Sequence, residues 1–311
     1  MKVTLISTVL NCVDRVEPFL ASLAAQTRAP DEVVIVDGGS TDGTAERFRA
    51  HDRITVIDAP GTNISAGRNV ALAHATHDVV AATDADCELA PGWLAAIVSP
   101  IEAGADVAAG FYEPIAGSFF SSCVAALNLP LDASEVEPST FMPSARSVAF
   151  RRDAVEAEGG YPEWLDIGED MWMNHRWRDR NLDIRFAPDA VVRWALRPDL
   201  GSTWTQYFRY ARGDALGGLY PERHALRFAV YGGLVAALAS DRTWPKVVAV
   251  AGAVVYARRP VLRAWARLVS PGQRVGATGA VPALLAFTDA AKMAGYATGL
   301  ARRLAGRGTA S

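Results

Sequence analysis

Val79-Val80-Ala81-Ala82-Thr83-Asp84-Ala85-Asp86 is the stretch from which the chain is best read. A short unbroken apolar run fits a strand buried on both faces, as a parallel sheet requires. It ends in two carboxylates, Asp84 and Asp86. Charge at a strand end lies at the rim of a sheet, where open α/β folds bind their ligands. Paired carboxylates suit a hard divalent cation, and such cations commonly hold substrate phosphates as well. D-x-D alone is a weak signal. It gains weight from two further acidic positions, Asp37 and Glu169-Asp170, that also fall at the ends of strand-like runs.

Outward from this stretch, strand and helix signals alternate. Val3–Leu10, Glu32–Val36 and Ile54–Ile57 read as strands, and residues 78–83 as a fourth. Helical stretches fall at Val13–Gln26, from an opening at Thr41-Asp42-Gly43-Thr44 to about His51, at Ser65–Thr76 with Ser65 as the cap, and at Pro91–Ala103. Apolar strands separated by helices predict a mostly parallel central sheet flanked by helices, an α/β fold. Beyond Val107–Phe111 the pattern loosens. Ser147–Phe150, Phe186–Pro188 and Val191–Trp194 read as short strands, Asp170–Arg180 as a helix, and the chain from Gln206 onward as helices.

The 311 residues carry a net charge of −3, which conceals an asymmetry. Met1–Thr205 holds 16 Lys+Arg against 30 Asp+Glu, whereas Gln206–Ser311 holds 15 against 4. An acidic body with a basic tail points to an anionic partner for the tail. Three tail segments are apolar and uncharged: Phe228–Ser240, Val247–Ala257 and Val275–Thr288. Their lengths are 13, 11 and 14 residues, short of the roughly 20 that a membrane span needs. Edged by Arg223, Arg227, Arg242, Lys246, Arg258, Arg259, Arg263 and Arg267, they fit helices lying in the bilayer interface. The expectation is that the region from Arg223 to Arg307 meets an anionic membrane surface. Nucleic acid is disfavoured as a partner, because exposed aromatics are not interleaved with the arginines. Cys12, Cys87 and Cys123 are far apart and form no C-x-x-C pair, which points to a reducing compartment. A strand-like run begins at Met1-Lys2-Val3 with no secretory signal pattern, so a cytosolic start is expected. The five histidines have no ligand spacing, and no P-loop or dinucleotide fingerprint is evident.

Several residues carry chemistry by type and place. Asp37 ends a strand and precedes two glycines, so backbone can approach a ligand closely. Its carboxylate can accept from a uracil N3–H or a ribose hydroxyl, or serve only the turn. Arg68 lies among small residues on a helix, where a guanidinium can hold a diphosphate through paired hydrogen bonds. Asp170 opens a helix, where the free N–H groups favour an ionised carboxylate able to take a proton.

In order and spacing these parts resemble a family 2 glycosyltransferase of the GT-A fold. The matching stretches are Thr8-Val9-Leu10-Asn11, Val36-Asp37-Gly38-Gly39-Ser40-Thr41-Asp42-Gly43-Thr44, Gly67-Arg68-Asn69, Asp84-Ala85-Asp86, Gly168-Glu169-Asp170 and Gln206-Tyr207-Phe208-Arg209-Tyr210. The tail, around Asp289–Tyr296, is similar to the ends of bacterial polysaccharide transferases. The resemblance implies a GT-A domain over residues 1–212 and a basic, apolar, membrane-associated helical tail over 213–311.

It further implies an inverting transfer of a sugar from a nucleotide-diphosphate sugar, UDP-sugar first, to a hydroxyl of a glycan or lipid-linked acceptor, at the cytoplasmic face of the cell membrane. Asp170 would be the base. Thr8, Asn11, Asp37, Gly39, Arg68, Asp84, Arg209 and Arg212 would bind the donor. Glu169 and Trp172 would meet the acceptor, and Asp86 with Asp84 would hold Mn²⁺ or Mg²⁺. The chain departs from the pattern at Tyr210, where processive relatives have Trp, and at Trp194, where many relatives have a metal-binding His. Two rivals remain: a noncatalytic nucleotide-sugar-binding membrane scaffold, against which the intact acidic set argues, and a sugar-phosphate nucleotidyltransferase, whose Gly-rich basic loop after the first strand is missing.

Overall fold

The computed structural model describes residues 1–115 and 117–306. Contacts divide the chain into two units, Met1–Ile115 with Val136–Ala195, and Ala116–Glu135 with Leu196–Ser311.

The first unit is built on one mixed sheet. Its strands are β1 (Val3–Val9), β2 (Glu32–Asp37), β3 (Thr55–Asp58), β4 (Val79–Ala82), β5 (Cys87–Leu89), β6 (Val107–Pro114), β7 (Val148–Arg151) and β8 (Ile184–Trp194), in the order β3-β2-β1-β4-β7-β6-β8-β5. The pairs β3–β2, β2–β1, β1–β4 and β6–β8 are parallel. The pairs β4–β7, β7–β6 and β5–β8 are antiparallel. The parallel half is the half that reads as continuous apolar runs, because both of its faces are covered. The two short strands expected at 186–194 are one strand, β8, whose register shifts opposite Gly110/Phe111. That irregularity admits Pro188, which cannot donate to a ladder.

Helices α1 (Val13–Ala24), α2 (Thr44–Arg49), α3 (Ile64–His74), α4 (Trp93–Glu102), α6 (Arg152–Glu156) and α7 (Glu169–Asp179) belong to this unit, and α5 (Phe119–Asn128) to the other. The cap of α3 is Asn63, whose side chain accepts from Ala66 N; the expected cap, Ser65, is buried and donates to Leu165 O. Ile6, Val80, Phe150, Met173 and Trp177 sit in the core between the sheet and α7. Burying a side chain of this size contributes about 1.5–3 kcal/mol.

The second unit adds α8 (Leu200–Gly217), α9 (Pro221–Ala239), α10 (Thr243–Arg267) and α11 (Pro271–Leu304) to α5. The boundary expected at 212/213 falls inside α8, all of which belongs to the second unit. Gly295 and Gly299 let α11 lie directly on α8. A Cβ at Gly295 would stand 2.1 Å from Phe208 O, and one at Gly299 2.5 Å from Arg212 O. Asp289, 1% exposed on α11, ties three helices together. It accepts from Arg227 Nε (3.0 Å) and Tyr231 OH (3.1 Å) on α9, and from Tyr256 OH (2.8 Å) on α10. Burial and the Asp289 charge push both tyrosine hydroxyls up, Tyr231 to about 12, so they stay protonated donors.

The three apolar tail segments part company here. Val275–Thr288 is a packing element: Ala277, Val281, Leu284 and Leu285 are buried with Cys123, Val124 and Leu127 of α5. The other two segments, on α9 and α10, stay exposed, with Val230, Val235, Leu238, Val247, Val250 and Val254 each about three-fifths open. No helix among the described residues is long and apolar enough to cross a membrane. Arg307 lies outside the described residues.

Candidate active site

Register brings the acidic residues to one edge of the sheet. Val9 stands opposite Asp37, and Ile6 opposite Ala82, so the chain leaving β4 reaches Thr83 and Asp84 beside the end of β1. Antiparallel β7 enters at the same edge, with Val148 opposite Ala82. The segment Ser144–Ser147 therefore arrives next to Asp84.

Asp37 is 4% exposed. Its Oδ2 accepts from Gly39 N (3.0 Å) and Ser40 N (2.9 Å). Its Oδ1 is buried with no hydrogen-bond partner. Half of this carboxylate is thus fixed by its own turn, while the other half carries an unspent acceptor, which is costly unless a ligand uses it. Gly39 adopts φ +104°, and a Cβ there would press on Pro60 at 3.3 Å, so the turn requires glycine. Asn11 (φ +49°) staples the neighbouring loop: its Oδ1 accepts from Thr41 N and its N donates to Ser40 Oγ, both at 2.9 Å. Thr8 is half-buried in β1, its methyl 3.0 Å from where Gly67 would carry a Cβ.

Asp84 to Cys87 is a tight turn closed by Cys87 N to Asp84 O at 3.0 Å. Ala85 points into the core, while Asp84 and Asp86 remain partly open. Cys87 Sγ donates to Asp86 Oδ1 at 3.6 Å. Burial, with the charges of Asp84 and Asp86 beside it, pushes the Cys87 thiol well up, and the side chain is enclosed while Asp84 and Asp86 stay partly open. The donor set is therefore two hard carboxylates. Among the described residues, no group of three or more His, Cys, Asp or Glu side chains is placed to hold a metal. Two carboxylates completed by phosphate oxygens and water are what Mg²⁺ ordinarily accepts, so these residues fit such an ion.

Arg68, expected at a diphosphate, is 4% exposed and already engaged by carboxylates. It pairs with Glu169 through Nη1 and with Asp84 Oδ1 through Nη2 (3.3 Å), and lies over the Tyr161 ring at 5.5 Å. Burial acts to lower its pKa, but Glu169 and Asp84 outweigh that and raise it. Burial pushes the Glu169 carboxyl up, with Arg68 pulling against it and Asp170 adding to the rise. Glu169, expected at the acceptor, is thus an internal partner of Arg68.

Gly168 (φ +87°) starts α7 and sets Glu169 and Asp170 in its first turn. Asp170 accepts from Met171 N (2.8 Å) and from Ala145 N (3.3 Å), and lines a shallow dimple with Tyr161, Asn174 and Pro143. Trp172 is half-buried, edge-on to Trp164 at 6.3 Å with the Arg176 guanidinium 5.7 Å from its ring. Arg209 and Arg212 lie on α8 in the second unit, Arg209 exposed and Arg212 half-buried.

The geometry brings together Thr8, Asn11, Asp37, Gly39, Arg68, Asp84, Asp86, Glu169 and Asp170. It adds Arg146, which sequence reasoning missed. Arg146 Nε stands 3.6 Å from Asp84 Oδ2, and its guanidinium lies 4.3 Å from the centre of the Trp194 ring. No local pattern announces it; only the pairing of β4 with β7 places it.

The family described as Glycosyl transferase family 2 matches residues 4–157, which carry Asp37, Arg68, Asp84, Asp86 and Arg146. The chain belongs to this family. It is a nucleotide-sugar-dependent glycosyltransferase. It is 28% identical over 229 residues to glycosyltransferase AglE of Haloferax volcanii, covering 68% of this chain and 72% of that one. It is 28% identical over 216 residues to the succinoglycan biosynthesis protein ExoA of Rhizobium meliloti, covering 65% and 64%. Among solved structures it resembles the mannosyltransferase PcManGT of Pyrobaculum calidifontis, in complex with GDP-Man and Mn²⁺. The TM-score is 0.55 at 22% identity, covering 97% of this chain and 87% of that one, a likeness of fold.

Proposed function

We propose that this glycosyltransferase moves a sugar from a nucleoside-diphosphate donor, a UDP-sugar first, to a hydroxyl of a growing glycan or lipid-linked acceptor, with inversion. The observation that carries this is the meeting of Asp37, Asp84, Asp86 and Asp170 at one sheet edge. Asp37 Oδ1 accepts from the base imide or a ribose hydroxyl. Asp84 and Asp86 would hold Mn²⁺ or Mg²⁺, which when bound neutralises charge on the departing diphosphate. Asp170 takes the proton of the acceptor hydroxyl as its oxygen bonds to the anomeric carbon. The sugar–phosphate bond breaks in the same displacement, and the nucleoside diphosphate leaves with the electron pair. The transition state is oxocarbenium-like, by analogy with glycoside hydrolysis. Trp172, half-buried beside Trp164, offers an aromatic face to the acceptor.

The second unit is proposed to rest on an anionic membrane at the cytoplasmic face, through the exposed apolar surfaces of α9 and α10. Charges stand at both ends of this helix pair: Arg223, Arg258 and Arg259 at one, Arg242 and Lys246 at the other. An upright insertion would drive the second set toward the hydrocarbon, at about 2.5–3.5 kcal/mol per arginine or lysine. Lying in the interface keeps both sets among headgroups.

The experiment is release of nucleoside diphosphate from a panel of nucleotide sugars, with Mn²⁺ or Mg²⁺ and with excess chelator. Turnover with one donor that stops on chelation and returns with the metal supports the reading. Full turnover in excess chelator removes the metal, and no turnover or donor binding with any nucleotide sugar overturns the donor assignment.

A further inference from the structure

Arg259, Arg263 and Arg267 are spaced four residues apart on α10, so they fall on one face, a turn from each other. Glu135 stands against them, in the turn Ala133–Glu135 that follows α5. Its Oε2 alone accepts from Arg259 Nη2 (3.1 Å), Arg263 Nε (3.0 Å) and Arg263 Nη2 (2.5 Å), while its Oε1 accepts from Leu131 N at 3.4 Å. Arg267 Nη2 donates instead to Pro130 O (2.6 Å), and its Nη1 is enclosed with no hydrogen-bond partner among the described residues. Burial, and after it the Arg263 charge, lowers the Arg267 pKa, with Glu135 opposing. Acceptors are therefore short along this stripe. One carboxylate oxygen is shared by two guanidinium groups, each with five N–H donors, while a third keeps an unsatisfied one. The Arg259 side chain is 69% exposed, so the stripe opens to solvent at that end. Beside it runs an apolar stripe at helical spacing, Val255, Leu262 and Trp265, at 74%, 48% and 39% exposure.

We propose that the Arg259–Arg263–Arg267 stripe binds the phosphate monoester headgroup of an anionic lipid, whose chain lies against Val255, Leu262 and Trp265. This rests on the membrane reading proposed above and makes it selective for one headgroup chemistry. Three arginines less the Glu135 charge leave a formal +2 among the described residues. A phosphate monoester answers it with about −1.5 to −2 and three acceptor oxygens, more than a diester offers. Guanidinium forks match such oxygens in pairs. Arg259 meets the headgroup first, since it is the open one. Arg263, 13% exposed, then divides its fork between the phosphate and Glu135, which relieves the crowded Oε2. A diffuse field of basic residues ranks anionic lipids by charge alone, whereas donors fixed on one helix face rank them by the oxygens they present.

The test is sedimentation of the full-length protein with phosphatidylcholine vesicles that carry either phosphatidic acid, a monoester, or phosphatidylglycerol, a diester, matched in surface charge. One further charge-assisted hydrogen bond is worth about tenfold in affinity, so phosphatidic acid should be preferred by about that factor. Arg259→Gln should remove most of the preference. Arg242→Gln, an equal loss of charge at the other end of the helix pair, should weaken both vesicles alike and keep it. Glu135→Gln, which frees the Arg263 fork, should widen it, a gain that a poorly folded variant would not give. Equal binding of the two vesicles by the unaltered protein would mean diffuse charge, overturning the inference and leaving the membrane reading intact. A preference that Arg259→Gln and Glu135→Gln both leave unchanged would place the monoester elsewhere and overturn it as well. Soluble glycerol phosphate, bound as tightly as the phosphatidic acid vesicles, would assign the stripe to a free phosphate ester and overturn the lipid source. No binding to either vesicle would bring down the membrane reading itself, and the inference with it.

Discussion

The Arg68 guanidinium and the Glu169 carboxylate meet as a buried ion pair, joining α3 to the first turn of α7 across 101 residues of chain. Removing one partner of such a pair leaves an uncompensated charge, at about 3–5 kcal/mol. Arg68→Met should lose that much in urea unfolding, and Arg68→Met with Glu169→Gln should regain part of it. Burial already pushes the Glu169 carboxyl up, and the variant has lost the counter-charge. A carboxyl whose folded pKa is raised stabilises while protonated, so the variant should be most stable at low pH and lose stability as pH rises through the raised value. A single variant within about 1 kcal/mol of the parent, with an unchanged pH profile, would mean that the pair is not structural.

Asp170→Asn should keep the fold and the donor site but lose the proton acceptor. Removing a general base commonly costs about 10²–10⁴ in rate. Transfer rate and nucleotide affinity measured separately should show the first collapse and the second hold. Near-normal transfer would sink the assignment, and lost donor binding would point instead to the hydrogen bond between Asp170 and Ala145 N.

The exposed apolar pair α9–α10 should bind anionic vesicles. Each basic residue near such a surface contributes about 1 kcal/mol, screened by salt. Sedimentation with phosphatidylserine vesicles should show binding at low salt that weakens as salt rises. Trp244, 64% exposed near the start of α10, should report headgroup depth rather than the bilayer centre in brominated-lipid quenching. Val247→Asp with Val250→Asp should abolish binding without unfolding the protein. Protein that stays in the supernatant at low salt would refute the membrane proposal.

Glu135 accepts from Arg259 Nη2 at 3.1 Å and from Arg263 Nε at 3.0 Å, fixing the segment after α5 to α10. Burial works to raise its pKa, but these arginines lower it overall. A carboxyl with a lowered folded pKa stabilises above its unfolded value, about 4.3, and loses that contribution as pH falls through the folded one. Thermal melts from neutral to acid should show a loss of at most about 1 kcal/mol that Glu135→Gln lacks. Parallel curves would show that the contact is idle.

Much of the first unit was legible because its signals are local. Val79–Ala82 and Val33–Val36 are continuous apolar strands, and Gly39 and Gly168 mark turns whose positive φ favours glycine. Asp37, Asp84, Asp86 and Asp170 stand where strand and helix ends were read. Sequence order also carried the family resemblance, since its motifs are short runs with fixed spacing.

Partnership was decided by the tertiary structure. Which of two arginines is enclosed by carboxylates and which stays open at the rim depends on β7 running antiparallel beside β4, and on Trp194 ending β8. The three apolar tail segments parted company: Val275–Thr288 buries Ala277, Val281, Leu284 and Leu285 in a cluster with α5, whereas the segments on α9 and α10 leave most of their valines exposed. Apolarity and turn chemistry are properties of neighbours in sequence and can be read along the chain. Burial, ion pairing and the unspent oxygen of Asp37 depend on residues brought together from far apart, and the chain order does not hold them.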